Sequence, residues 1–430
     1  MVAMSLELYF DFSCPYAYIA ATQIEAVAAR HAAPLTWRPM LLGGVFRSIG
    51  AGQGPMATMP PAKARHNAQD MHRWAEVYDT PLAIPPGHPR RTVGALRALL
   101  SLPEADWPPV IHGFYRAYWI EGADPSAPET IRRVILAAGL SEGAADRAIA
   151  AVDDPLIKEQ LRARTDEAVA RGVFGAPATF VSGGELAEPL LFWGQDRLTM
   201  IEAVLEGWRP GVGPAPAADH PAPAGDARVV EIWYDLSSPF AYLGSTQIEA
   251  VCARYGATLR WRPMLLGAMF RDIGTPDAPI LSMPENKRTY YARELGYWSS
   301  YWGVPFRFSS RFPMRTVMPL RLLLQAGDRI GALTHALYRA LWVDDLDISD
   351  EGVLATILER EGFDAPPMLE GTRDPAIKQQ LIANGTEALR KGVFGAPTFI
   401  VDPDTQPLLF WGQDRLQLVE RVLGGWQPRV

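Results

Sequence analysis

The sequence predicts an α/β protein made of two tandem copies of one domain, each a small sheet interrupted by an all-helical insertion. Long-range repetition is the first reason. Cys14 and Ser238 occupy matching places at an offset of 224 (238 − 14), Lys63 and Lys287 keep that offset, and WRPMLLG recurs from Trp37 and from Trp261. GVFGAP (from Gly172 and Gly392) and FWGQDRL (from Phe192 and Phe410) repeat at offsets of 220 and 218, as small loop deletions produce. A period this long marks a duplicated domain rather than a solenoid. The second reason is that each copy opens with a strand-helix-strand pattern. The third is that strand-like runs return after a long helical stretch.

Each copy begins with an apolar run (6–10; 229–234) that ends in an Asp, and a helical pattern opens at Pro15 or Pro239. Proline suits the first helical turn, where a missing N–H removes no hydrogen bond. Ile19, Ile24 and Val27 mark the apolar face of the first helix, and Leu243, Ile248 and Val251 that of its counterpart. PLTWRP or TLRWRP supplies the next strand, completing a unit that should cross over right-handed. Residues about 55–171 and 279–391 then show helical periodicity broken by Pro and Gly, as in KARHNAQDMHRWAEVY, HGFYRAYWI and TIRRVILAAGL. ATFVS and PLLFW, or TFIVD and PLLFW, return as short strands, and QDRL opens a closing helix. This order is a thioredoxin-like core interrupted by a helical subdomain. The domains are 1–208 and 227–430. Between them RPGVGPAPAADHPAPAGD (209–226), rich in Pro and Ala, reads as a solvated, semi-extended linker.

Composition narrows the function. With 48% hydrophobic and 21% charged residues the chain is of ordinary globular type, and a net charge of −7 argues against a nucleic-acid or anionic-membrane partner. No apolar run is long enough to span a bilayer. MVAMSLELYF enters a strand-like pattern without a cationic segment, so a cytoplasmic protein is expected. Two cysteines, Cys14 and Cys252, with no CxxC, give no disulfide framework, and Cys252 in mid-helix reads as a core residue. His66 and His72 lack the i, i+4 spacing of a helical metal pair, so no metal site is expected.

The chemistry concentrates just before the two helix prolines. Cys14 and Ser238 stand beside unpaired backbone N–H groups and the positive end of a helix dipole, a place that favours an anion such as a thiolate. Serine is equally a preferred helix N-cap.

In this order SSPFAYLG, WRPMLLG, the PxxK segment, GVFGAP and FWGQDRL resemble the 2-hydroxychromene-2-carboxylate isomerase and kappa-class glutathione transferase family, of DsbA-like thioredoxin fold. The resemblance covers each half almost from end to end. It implies glutathione as cofactor and a small aromatic or enone carboxylate as substrate. Because family chains carry one such domain and pair, it also implies an internal pseudo-dimer. Ser238 aligns with the family serine that hydrogen-bonds the glutathione sulfur. Cys14 sits where related disulfide oxidoreductases place their attacking cysteine, but Ala17 holds the resolving position, leaving either a monothiol site or a buried stand-in for serine. Pro177 and Pro397 correspond to a cis proline, with Ala176 and Ala396 pairing with the glutathione peptide. Gln195 and Asp196, with Gln413 and Asp414, correspond to the pair that holds its γ-glutamyl end, and the same acids suit a helix cap. Lys63 and Lys287 match a lysine that reaches a carboxylate of glutathione or substrate, while Gln53 and Asp277 stand near the family asparagine. Arg38 and Arg262 suit either a substrate carboxylate or a structural Asp. Phe12, Tyr16, Tyr18, Phe240, Tyr242, Trp298 and Trp302 suit either a pocket wall or a core. A glutathione-dependent isomerase is the leading expectation. A kappa-like transferase, a monothiol oxidoreductase at Cys14 and a non-catalytic thioredoxin-like binding protein are the alternatives.

Overall fold

Apolar alternation and the helix prolines produce the same opening unit twice. In the computed structural model, which describes residues 3–429 apart from 53, 55, 57, 58, 217–219, 223, 224, 226, 227 and 277, β1 (Ser5–Phe10) runs into a helix at Pro15–Arg30 and returns parallel to itself as β2 (Leu35–Pro39). β3 (Ala178–Ser182) and β4 (Leu190–Trp193) complete an antiparallel half, giving the order β2-β1-β3-β4. The second copy repeats it with β5 (Val229–Tyr234), a helix at Pro239–Tyr255, β6 (Thr258–Pro263), β7 (Thr398–Val401) and β8 (Leu408–Trp411), ordered β6-β5-β7-β8. Both opening helices bury the expected face: Ile19, Ile24 and Val27 in one, Leu243, Ile248 and Val251 in the other. Helices between β2 and β3, and between β6 and β7, form the insertions.

The insertions hold the segment that precedes each helix proline. Trp119 donates its indole N–H to the Phe12 carbonyl, and Trp342 donates to that of Leu236, both at 2.9 Å. The Asp that ends each first strand does comparable work on the other side. Asp11 accepts from the backbone N–H of Ser13 and Leu42 and from the Thr92 hydroxyl, and Asp235 accepts from Ser237 and Leu266. Arg38 pairs with Glu7, and Arg262 pairs with Glu387, so both WRPMLLG arginines are structural, with Glu rather than Asp as partner.

The two copies interlock through one helix each. The covering helix Pro61–Val77 of the first copy lies along edge strand β8 of the second, where the Trp411 N–H donates to His66 Nε2 at 3.2 Å and Arg73 donates to the Leu409 carbonyl at 2.6 Å. Reciprocally, the covering helix Glu285–Tyr301 lies along β4, and the Trp193 N–H donates to the Tyr290 hydroxyl at 2.9 Å. An exposed strand edge is thereby satisfied on each side. His66 accepts as a neutral ring, because burial, with Arg415 and Arg73 nearby, pushes its pKa down to about 3.

Under these helices lies a buried ion network. Arg197 bonds Glu294 at 2.7 Å and Asp414 at 2.8 Å; Arg415 bonds both oxygens of Asp70, at 2.7 and 2.9 Å, and also Asp196. The QDR residues form a short 3₁₀ turn in which Asp196 and Asp414 stand as first-turn acids and make no side-chain cap. Gly194 (φ 114°) and Gly412 (φ 107°) precede these turns in the left-handed region, and a β-carbon on either would collide with the carboxylate two residues on. The linker also departs from expectation. Gly211 N–H donates to the Ser300 hydroxyl at 2.7 Å, Ala215 N–H donates to the Tyr301 carbonyl at 3.0 Å, and Trp208 packs edge-on against Tyr301. Most of its described residues are solvated as expected, but Gly211 and Ala215 anchor it to the second covering helix.

Arg197→Met is expected to lower the free energy of unfolding by about 3–5 kcal/mol, since removing one partner leaves buried carboxylates uncompensated. Chemical denaturation measures this, and a loss below about 1 kcal/mol would mean that the network relaxes at little cost.

Candidate active site

The N-terminus of the helix at Pro239 builds the second copy's corner. Ser238 is extended (φ −96°, ψ 113°), which turns its hydroxyl back over the first turn. The oxygen accepts from the Ala241 N–H at 3.1 Å and donates to the Ala396 carbonyl at 3.0 Å. The functional and the capping readings of Ser238 therefore coexist in one geometry. The Ala396–Pro397 and Ala176–Pro177 bonds are both cis. So are His88–Pro89 and Phe312–Pro313, a second pair that no sequence signal announced.

The first copy's corner has the same backbone but a different environment. Cys14 donates to the Ala176 carbonyl at 3.1 Å and makes no cap. Burial pushes its thiol up to about 12, outweighing the helix N–H groups of Ala17 and Tyr16 that favour a thiolate. The Tyr16 hydroxyl donates to Asn67 Oδ1 at 3.0 Å, tying the opening helix to the covering helix. At the matching places the second copy has Phe240 edge-on to Tyr291, and both face open space. Cys252 is buried in the core, with its thiol likewise pushed up to about 12 by burial.

That open space is a cavity of about 1080 Å³ against Ser238 and Ala396. It lies at the upper end of the roughly 300–1,000 Å³ range of ligand sites, so two reactants can share it. Its described lining carries four cationic side chains, Lys63, Lys287, Arg271 and Arg315, and one carboxylate, Asp235. This is a positive pocket in an acidic protein. Lys63 lies over the Trp411 ring at 4.8 Å, and Lys287 lies 5.6 Å from each of Trp193 and Tyr291. Both lysines are half-buried, and among the described residues neither has a carboxylate at ion-pairing distance. Burial, followed by the charge of Lys63, lowers the Lys287 pKa to about 8. Burial lowers that of Lys63 as well.

Lys63 and Lys287, one from each copy, both line the cavity that Ser238 lines. Asp196 and Asp414 pair with Arg415 and Arg197, and Gln195 and Gln413 are buried; among the described residues none of the four lines the cavity. Gln53 and Asp277 lie outside the described residues. Of the seven aromatics singled out, only Phe240 faces the cavity. Tyr18 and Tyr242 bond the carbonyls of Pro81 and Pro305, and Trp298 packs on Trp302. The apolar walls come instead from Phe270, Tyr291, Phe308, Phe312 and Trp411. Of these, Trp411 alone stood inside a repeated motif. Among the described residues no cluster of metal-ligating side chains occurs, and no helix is long and apolar enough to cross a membrane.

Comparison with known proteins gives one consistent answer. The model of the DSBA-like thioredoxin domain matches residues 5–206 and again 229–424. The 2-hydroxychromene-2-carboxylate isomerase of Sphingobium xenophagum is 28% identical over 204 residues, 46% of this chain and 98% of that protein. Glutathione S-transferase kappa 1 of Homo sapiens is 27% identical over 213 residues, covering 46% and 91%. A solved 2-hydroxychromene-2-carboxylate isomerase aligns at 25% identity with a TM-score of 0.41, over 47% of this chain and 94% of that one. Each of these relatives is thus about the size of one copy.

At pH 8 a thiol with a pKa of about 12 is ionised to about one part in ten thousand, against roughly a quarter for an ordinary cysteine. Iodoacetamide should therefore label Cys14 in the native protein about a thousand times more slowly than in urea. Rapid native labelling in a mass-spectrometric time course would show that this corner opens.

Proposed function

We propose, from the premise that this chain belongs to the DSBA-like thioredoxin family in both of its halves, that it is a glutathione-dependent isomerase with one working site. Its substrate would be a conjugated enone or aromatic carboxylate, as the name of its 2-hydroxychromene-2-carboxylate isomerase relatives suggests. The observation that carries this reading is the Ser238 hydroxyl, held at a helix N-terminus beside a positive cavity with two lysines that have no carboxylate partner among the described residues. Those residues fit a tripeptide thiol: a donor and helix N–H groups for the sulfur, the Ala396 backbone for the peptide, and Lys287 for a carboxylate. When bound, glutathione supplies a thiolate that adds reversibly to a conjugated enone, converting its double bond to a single bond that rotates before the thiolate leaves.

The protein's own part is positioning and charge. Ser238 turns its hydroxyl from the Ala396 carbonyl to the sulfur, and one such charge-assisted hydrogen bond contributes about 1.5–3 kcal/mol. Lys287 fixes the carboxylate end, and the aromatic walls exclude water from the reacting carbons. The first copy, with Cys14 buried and Tyr16 tied to Asn67, takes no part in thiol chemistry.

Ser238→Ala should lower kcat/KM for glutathione-supported isomerisation about 10- to 100-fold, with stability reduced only by the lost cap, about 1 kcal/mol. Unchanged turnover would refute the assignment. Isothermal titration should give one equivalent of glutathione per chain, and two equivalents would restore the first corner as a site.

Lys287 binds an anion only while protonated, so affinity should persist below pH 8 and fall as the pH rises through its pKa of about 8. S-methylglutathione, whose sulfur does not titrate, is the suitable probe. Lys287→Arg should flatten the profile between pH 7 and 9, because a guanidinium stays charged there.

A further inference from the structure

The positive cavity holds one charge of the opposite sign. Asp235 is the one carboxylate among its described lining residues, it is 1% exposed, and it stands three residues before Ser238. Its groups build the corner. The Asp235 carbonyl accepts from the Ser238 N–H and from the Tyr338 hydroxyl, both at 3.1 Å. Its carboxylate accepts from the Ser237 N–H at 3.0 Å and the Leu266 N–H at 2.7 Å, with the Thr316 and Ser237 hydroxyls as further donors. One side chain therefore joins the Ser238 turn to two walls of the cavity, the helix Leu266–Asp272 and the segment 312–317. Every contact reaches it as a donor, the pattern of an ionised carboxylate, and burial raises its pKa against them. Tyr234 and Tyr338 stand beside it on the core side, and Lys63, Lys287, Arg271, Arg315 and Tyr291 complete the charged and titratable lining. The first copy keeps the arrangement: burial first, and then the Asp11 charge, push the Cys14 thiol up.

Resting on the function proposed above for the thiol that it acts on, we infer that Asp235 is a positioning residue of the second copy's site whose negative charge, fixed inside the turn that presents Ser238, opposes a thiolate there. Helix N–H groups, the Ser238 hydroxyl and the cavity cations draw the sulfur towards ionisation, and Asp235 draws it back. The balance matters because a thiolate loses nucleophilicity as it is stabilised, and the best attacking thiol ionises near the working pH.

The test places a thiol at the corner of the full chain by Ser238→Cys and follows its iodoacetamide labelling against pH, resolved from Cys14 and Cys252 by mass spectrometry. Adding Asp235→Asn, nearly the same shape without the charge, should move the labelling midpoint down by about one pH unit, a roughly ten-fold gain in thiolate below the midpoint. A merely structural Asp235 predicts the opposite, since a loosened turn withdraws N–H groups and moves the midpoint up. A midpoint that stays or rises in the folded double variant overturns the inference. If Asp235→Asn does not fold, Asp235→Ser takes its place with the same expected shift, because a serine hydroxyl also closes such a turn. If neither folds, the Ser238→Cys chain decides alone. A midpoint below about 6, within the range of helix N-terminal thiols that nothing opposes, ends the inference, and one of about 8 or above upholds it. Glutathione bound to the Ser238 protein, followed by its thiolate absorbance, should show the same downward shift with Asp235→Asn. If the wild type binds no glutathione, the proposed function fails, and the introduced thiol still decides Asp235.

Discussion

The arrangement of the whole chain depends on two arginines, Arg197 and Arg415, which stand in the QDR turns and bind acids of both copies. Four carboxylates surround two guanidiniums in a largely buried region. Taking such groups out of water costs several kcal/mol per ion, so the network's value lies in geometry more than in net stability. The bidentate pairing of Arg415 with Asp70 has a narrow angular tolerance, and with the two N–H groups that Arg197 sets on one oxygen of Glu294 it fixes where each covering helix lies on the opposite sheet. That placement closes the strand edges, sets Trp411 beneath Lys63 and so shapes the cavity.

Around this nearly symmetric frame the two corners have parted. Cys14, Tyr16 and Asn67 meet at one corner, where the Tyr16 hydroxyl ties the opening helix to the covering helix, and Ser238, Phe240 and Tyr291 line a cavity at the other. Both retain helix N–H groups aimed at the same spot, and Cys14 and Ser238 are themselves equally buried, at 6% and 5% exposure. At Cys14 desolvation penalises charge more than a few backbone dipoles favour it. In an assembly of identical chains every substitution appears on both sides. A fused pair escapes that constraint, and its two corners carry different residues.

Much of this was legible in contiguous sequence. The strands and the opening helices with their buried Ile24 and Ile248 depend on neighbours within one motif, so the pattern carries them, while the cis bonds at Pro177 and Pro397 were implied by the family resemblance. The ion pairs of Asp196 and Asp414 were not legible, because their partners lie more than 200 residues away in the other copy. That Lys63 lines the cavity of the other copy was hidden for the same reason: the repeat reports which copy a residue belongs to and is silent on which site it reaches. Phe308 and Phe312 escaped notice because they sit in the helical insertion, where no periodicity distinguishes a pocket wall from a core.

The docked linker has a consequence for how the halves stay together. A tether whose length suits the gap converts association into an intramolecular event, with an effective concentration in the millimolar range for a short flexible connection. Such an interface persists at any dilution, so it can be rich in charge and poor in net binding energy. Evolution is then free to tune its geometry for the neighbouring cavity, because mass action no longer has to hold the partners in place.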